Sequence, residues 1–141
     1  MKSLNILAPL FAMIALTIIV WIYMYARRIP FIMRSGLTPQ QLTPVEFARL
    51  SPPAVANPSD NLKNLSELPT IFYAVLLCLH VTHHVDSTYV NAAWLFVGLR
   101  VLHSAVHCTF NFIPLRFRLY AAGVLTLWFM AIRAALALVW R

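Results

Sequence analysis

Four long apolar segments dominate the chain, at approximately residues 4–26, 62–84, 90–112 and 115–140. A bilayer hydrocarbon core of about 30 Å needs about 20 helical residues, so each segment can span it. Hydrophobic residues make up 61% of the chain and its mean hydropathy is +0.75. We therefore predict an all-α integral membrane protein whose residues 1–141 form one domain, a four-helix bundle with left-handed up-down topology.

Basic residues predict how this bundle is oriented. The connection over residues 27–60 and the turn before the last span hold most of the arginines, whereas the turn over residues 85–89 contributes only Asp86. Because loops rich in lysine and arginine stay in the cytoplasm, we expect both basic connections there and both termini on the other side. The short loops and the absence of a retention signal favour a bacterial inner membrane. The net charge of +7 is explained by this bias and by anionic lipids, so no nucleic-acid partner is expected.

The cytoplasmic loop over residues 27–60 is rich in proline, which argues against one continuous helix there. Within it, Thr43, Pro44 and Glu46 have capping-box spacing with proline at the first helical position. A short helix is therefore expected through Leu50, either on the membrane surface or over the mouth of the bundle. An ordinary linker is an equally open interpretation.

A polar stripe interrupts the third span. Arg100, His103, His107 and Asn111 stand at positions i, i+3, i+7 and i+11, which share one face of an α-helix. Ionisable residues at bilayer depth are expensive unless they face a partner or a cavity. The stripe therefore marks the first candidate site.

The second span offers a partner for this stripe. Asn64 and Glu67 are three residues apart and share a face, and Glu67 lies beyond the first helical turn. A carboxylate and a guanidinium on adjacent helices satisfy each other, so an ion pair between Glu67 and Arg100 is expected.

Together these residues give a pattern that resembles the MAPEG superfamily, membrane-associated proteins in eicosanoid and glutathione metabolism. The resemblance covers essentially the whole chain in span number, loop lengths and orientation. The residues that carry it are Asn64, Glu67, Pro69, Arg100, His103, His107, Pro114, Arg116 and Tyr120.

The resemblance implies a homotrimer of four-helix protomers with a glutathione site between neighbours near the cytoplasmic face. By position, Asn64 and Glu67 bind the peptide part of glutathione, Arg100 pairs with Glu67, and Tyr120 lines the site. His103 and His107 belong to the same polar site. Arg116 holds the thiol as thiolate, since a nearby guanidinium lowers a thiol pKa and the thiolate is the nucleophile. The implied activity is transfer of glutathione, or of a similar small thiol, to a lipophilic electrophile from the bilayer, or reduction with that thiol.

Three positions depart from the family pattern. Asp60 stands where glutathione-using members carry an arginine, and its charge opposes a glutathione carboxylate. His107 stands where those members often place a tyrosine, and Phe117 replaces a possible polar residue. A non-catalytic ligand-binding or structural membrane protein is therefore the main alternative.

A metal or haem site is a weaker alternative. His103 and His107 have the i, i+4 spacing that can place two imidazoles on one metal ion. The remaining histidines, His80, His83 and His84, fall at the opposite end of the second span and hence at another depth. No metal is therefore expected in the principal interpretation.

Overall fold

The computed structural model describes residues 5–140, and these form an all-α, four-helix membrane bundle. Four of its helices are long and apolar enough to cross a membrane, by length and composition. In chain order the helices are α1 (Leu7–Ser35), α2 (Pro44–Leu50), α3 (Pro53–Val81), α4 (Ser87–Cys108) and α5 (Ile113–Val139), and α2 is preceded by a 3-10 turn (Pro39–Leu42).

The first connection is shorter than the 27–60 loop expected from the sequence. Helix α1 continues to Ser35 and α3 already begins at Pro53, so residues 36–52 remain between them. Pro30 and Pro58 lie inside these two helices instead of ending them. An interior proline removes one backbone donor, and packing of the two helices against each other along the bundle offsets that loss.

The expected short helix is confirmed as α2, although its cap differs from the prediction. The Thr43 hydroxyl donates to the carbonyl of Gln40 and makes no cap to its own helix. The side-chain oxygen of Gln41 instead accepts hydrogen bonds from the backbone and hydroxyl of Thr38. Phe47 of α2 is 5% exposed and packs edge-on against Phe31 at 6.0 Å, so α2 lies against the C-terminal part of α1.

Helix α4 ends at Cys108, before the predicted span limit at residue 112. Asn111 therefore does not continue the polar stripe on the helix, as the spacing had predicted. It lies in the turn to α5 with a left-handed backbone (φ 47°), a conformation that asparagine tolerates better than most residues.

Apolar side chains fill the centre of the bundle and also cover its outside. Phe72 and Phe96 stack at 4.5 Å beside the fully buried Leu127 and Met130. Many large apolar side chains lie on the outer surface, and several of them, such as Leu125, are more than half exposed. An apolar exterior around an apolar core is what a lipid solvent requires.

The turn between α3 and α4 closes the opposite end of the bundle. Asp86 caps α4 by accepting from the backbone N–H of Tyr89 at 3.0 Å. Its two carboxylate oxygens also accept from Arg133 of α5, at 3.0 and 2.5 Å. Arg133 holds the pKa of the Asp86 carboxyl below its ordinary value.

Candidate functional site

A cavity of about 230 Å³ lies where α3, α4 and the first turns of α5 meet. Four of the predicted site residues, contributed by all three helices, share its lining. The lining residues are Asn64, His103, Ile113, Arg116, Phe117 and Tyr120. The structure thus brings together positions that are up to 56 residues apart in the sequence (120 − 64).

Arg116 is held by the turn that precedes its own helix. Its Nη1 donates to Oδ1 of Asn111 at 2.6 Å, and Nδ2 of Asn111 donates to Oδ1 of Asn57 at 3.2 Å. The left-handed backbone of Asn111 allows one short side chain to contact both α3 and α5. The guanidinium that lines the cavity is therefore oriented by a hydrogen-bonded chain from α3.

His103 ties α4 to the same turn of α5. Its Nδ1 lies 3.1 Å from the carbonyl oxygen of Arg116, and because a carbonyl only accepts, Nδ1 carries the proton. The ring is 2% exposed and its centroid is 6.0 Å from that of Tyr120. His103 therefore fixes the start of α5 against α4, beside the cavity.

Arg100 is completely buried one turn deeper in the bundle, with 0% of its surface exposed. Its Nη2 donates to the carbonyl oxygen of Asn64 at 3.2 Å, and its Cζ lies 5.7 Å from the centre of the Tyr120 ring. Within residues 5–140, Nε and Nη1 have no hydrogen-bond partner. A buried charge with two free donors is costly, which makes Arg100 a strong attractor for an acceptor.

The expected ion pair between Glu67 and Arg100 is not formed within one chain. Glu67 lies on the exposed side of α3, and no lysine, arginine or histidine nitrogen among the described residues approaches it within 4.0 Å. Within the same turn of α3, Asn64 faces the cavity and Glu67 faces outward. The carboxylate is therefore available on the surface of the four-helix unit.

His107 is buried on the same face of α4, at 3% exposed, and does not line the cavity. Its ring meets that of His103 edge to face at 5.6 Å, and its Nδ1 has no partner among the described residues. No group of three or more histidine, cysteine or acidic side chains suited to a metal ion forms within residues 5–140. Among these residues, no third ligand of these types therefore joins the two imidazoles.

Asp60, the departure that opposed a glutathione carboxylate, does not line this cavity. It pairs with Lys63 at 3.0 Å and lines a separate space of about 180 Å³ beneath α2. Its carboxylate is therefore paired with Lys63 on the surface of α3 and is not part of the cavity lining. Phe117, the third departure, forms part of the apolar rim and is 68% exposed.

A second polar contact beside the site involves Asn61, a residue that the sequence patterns did not single out. Asn61 is 0% exposed; its Oδ1 accepts from the Ser104 hydroxyl at 3.3 Å and its Nδ2 donates to Cys108 Sγ at 3.5 Å. Asn57, Asn61 and Asn64 stand at i, i+4 and i+7. That spacing was the available signal, but it becomes visible only when α3 is taken to begin at Pro53.

No curated protein and no solved structure matches the chain. The model of the MAPEG family matches residues 6–136, which include all four long helices almost entirely and every residue of the cavity. The chain belongs to the MAPEG family.

Proposed function

We propose that this protein binds glutathione or a similar small thiol in the cavity between α3, α4 and α5 and transfers it to a lipophilic electrophile. The observation that carries the proposal is the convergence of Asn64, His103, Arg116 and Tyr120 on one cavity, with a single guanidinium in its lining. Family membership supports the same reading.

Arg116 has the central chemical role. Asn111 occupies its Nη1, and the remaining guanidinium donors can serve a sulfur anion. A nearby positive charge lowers a thiol pKa from about 8.5, which increases the thiolate fraction at neutral pH. The thiol releases its proton to solvent and the thiolate electron pair forms the new sulfur–carbon bond. The leaving group departs with the electron pair of the bond that breaks.

The other residues bind the peptide part of the thiol. Asn64 and Tyr120 offer an amide and a hydroxyl in the cavity lining, and Arg100 has free donors behind them. His103 and His107 complete the polar surface of α4. Carboxylates are the natural partners of these donors, because charge-assisted hydrogen bonds to guanidinium are the strong ones.

A second copy of the chain completes this site. A volume of about 230 Å³ is below the roughly 300–1,000 Å³ of pockets that hold drug-sized ligands. Glu67 lies on the outside of the unit, three positions from Asn64, where a neighbour can bring a ligand or an arginine to it. A homotrimer, as the resemblance implies, supplies that neighbour.

The electrophile reaches the site from the bilayer. Ile113 and Phe117 are 63% and 68% exposed and form an apolar rim to the cavity. Lipophilic molecules concentrate in the membrane, and this rim offers them an apolar contact beside Arg116. The second substrate is therefore defined by its solubility in lipid and by an electrophilic carbon.

The basic end of the bundle faces the cytoplasm in this proposal. Asn111 contacts Asn57, so the turn before α5 and the start of α3 lie at the same end, together with Arg27, Arg28 and Arg34. Loops rich in arginine stay in the cytoplasm, which puts the thiol site there and both termini on the other side. If the protein lies in a bacterial inner membrane, glutathione from the cytoplasm then reaches the cavity directly.

A non-catalytic binding or structural protein is the second candidate. The contacts of His103 with α5 and of Asn61 with Ser104 join helices in the way that register-fixing polar residues do. Such a protein forms no product, whether or not a ligand stabilises its folded state. Turnover therefore separates the two candidates.

The test is conjugation of glutathione to 1-chloro-2,4-dinitrobenzene by the detergent-purified protein. We expect turnover in wild type and a loss of roughly tenfold to a hundredfold in Arg116→Ala, since hydrogen bonds to charged groups contribute about 1.5–3 kcal/mol. Arg118→Ala is the matched control, because Arg118 is exposed on the same helix and does not line the cavity. Absence of turnover with several lipophilic electrophiles, despite glutathione binding, supports the non-catalytic candidate instead.

A further inference from the structure

A larger cavity, of about 470 Å³, lies between the C-terminal end of α1 and the first turn of α3. Its apolar wall includes Pro30, Phe31 and Val55, and the guanidinium-bearing side chains of Arg27 and Arg34 line the same space. None of its eight lining residues carries a carboxylate. The cavity is therefore apolar and positively charged at once, and it shares no residue with the thiol site.

Neither arginine forms an ion pair with a carboxylate among residues 5–140. Arg27 donates through Nε and Nη2 to the Tyr23 hydroxyl, at 3.2 Å each, which leaves Nη1 free of that contact. Arg34 is exposed and makes no side-chain hydrogen bond or ion pair with the described residues.

Nearby carboxylates are already engaged elsewhere. Glu46 pairs with Arg49 at 2.9 Å and Asp60 pairs with Lys63 at 3.0 Å. Arg28, the third arginine of this end, lies over the Phe47 ring at 4.3 Å and lines the neighbouring space beneath α2. Within the described part of the chain, the charges of Arg27 and Arg34 are thus left without a carboxylate partner.

The length of α1 places this cavity at the membrane surface. Its 29 residues span about 43 Å, which exceeds a hydrocarbon core of about 30 Å. Measured from Leu7, Arg27 lies about 30 Å along the helix and Arg34 about 40 Å. Taking Leu7 as the far edge of the hydrocarbon puts Arg27 at its near edge and Arg34 among the head groups.

We propose that this cavity binds the head group of an anionic phospholipid. A phosphate between Arg27 and Arg34 receives the forked donors that guanidinium offers, and Pro30, Phe31 and Val55 contact the glycerol and the first acyl carbons. The apolar wall at the hydrocarbon edge selects a lipid over free phosphate. The site is independent of the thiol proposal, because it uses other residues and needs no turnover.

The test measures thermal stability of the detergent-purified protein, without glutathione, during titration with dioctanoyl phosphatidylglycerol or dioctanoyl phosphatidylcholine. A ligand that binds the folded state raises stability. We expect the anionic lipid to stabilise wild type at lower concentration than the zwitterionic lipid. Each basic residue near an anionic surface contributes about fivefold in affinity. Arg34→Gln should therefore need about fivefold more anionic lipid for the same stabilisation, and the double variant Arg27→Gln, Arg34→Gln more than tenfold.

Arg118→Gln is the matched control, since it removes one exposed arginine from the same end of the bundle without touching the cavity. It should titrate like wild type. Because Arg34 is exposed, Arg34→Gln should unfold at the wild-type temperature when no lipid is present. Native mass spectrometry gives a second measurement, namely the amount of lipid that each variant retains. Equal stabilisation by both lipids, an equal loss in Arg118→Gln, or reproduction of the shift by inorganic phosphate alone overturns the proposal.

Discussion

Nη1 of Arg116 lies 2.6 Å from Oδ1 of Asn111, so the arginine of the cavity is oriented by a residue with a left-handed backbone. Asn111 thereby couples a strained turn to the proposed thiolate site. Its side chain also donates to Asn57, which ties the turn before α5 to the start of α3.

This relationship predicts different outcomes for two substitutions of Asn111. Asn111→Gly retains the left-handed backbone and loses the side-chain contacts, whereas Asn111→Ala loses the contacts and adds strain of about 1 kcal/mol. We expect both variants to conjugate glutathione more slowly than wild type. The alanine variant should also have the lower free energy of unfolding of the two, because it carries the backbone strain. Thermal unfolding in detergent measures the difference; a glycine variant that is the less stable of the two contradicts this account of the turn.

The buried contact between Asn61 and Ser104 predicts an energetic coupling between α3 and α4. Such contacts in membrane proteins contribute about 0.6 kcal/mol on average. A double-mutant cycle of Asn61→Ala and Ser104→Ala should give a coupling of that size. The control cycle pairs Asn61→Ala with Thr126→Ala, because the Thr126 hydroxyl bonds to the carbonyl of Ala122 in its own helix. Equal couplings in the two cycles count against the Asn61 contact.

The ion pair at the opposite end predicts an acid-dependent loss of stability. Hydrogen bonding from Arg133 lowers the Asp86 pKa from the ordinary 3.8, so its stabilising effect is present above pH 3.8 and is lost as the pH falls through the lower folded value. Asp86→Asn and Arg133→Gln should each reduce that acid dependence. Asp86→Ala should additionally lose about 1 kcal/mol from the cap of α4. Unfolding curves across acidic pH test this, and an unchanged profile in both charge variants rejects it.

The close packing around Gly123 predicts how larger side chains at this position affect Arg100. A Cβ at Gly123 would lie 3.8 Å from the Phe96 ring and 3.9 Å from Cδ of Arg100, which is ordinary contact, so Gly123→Ala should be tolerated. Gly123→Leu should displace both side chains and cost about 1–3 kcal/mol, as overpacked cores do. Gly98→Leu is the matched control, because no atom lies within 4 Å of its added Cβ. Equal destabilisation by the two leucines, measured by thermal unfolding, contradicts this packing.

The sequence is sufficient to predict the membrane class and the family, because the long apolar segments and the order of Asn64, Arg100 and Arg116 along the chain are visible without the tertiary structure. It misplaced the ends of the helices. Proline density suggested that residues 27–60 were a loop, whereas helix packing overrides Pro30 and Pro58. Such packing is a tertiary effect that no local pattern contains.

The candidate site shows the same limit. Helical spacing put Asn64 and Glu67 on a common face, yet three positions correspond to about 300° of rotation at 3.6 residues per turn, which separates them by about 60°. That angle leaves Asn64 in the cavity lining and Glu67 outside. Spacing alone assigns Asn111 to the helical stripe, because it does not reveal that α4 ends at Cys108. Its actual contact with Arg116 depends on the backbone of the turn.

The thiol site is tested most directly by the thermal stability of the purified protein with and without millimolar glutathione, in wild type, Arg116→Ala and Arg118→Ala. A ligand at one hundred times its Kd adds about 2.7 kcal/mol to the folded state. We predict that glutathione raises the unfolding temperature of wild type and of Arg118→Ala, and that Arg116→Ala loses most of this rise. No rise in wild type, or an equal rise in all three proteins, would contradict a glutathione site at Arg116.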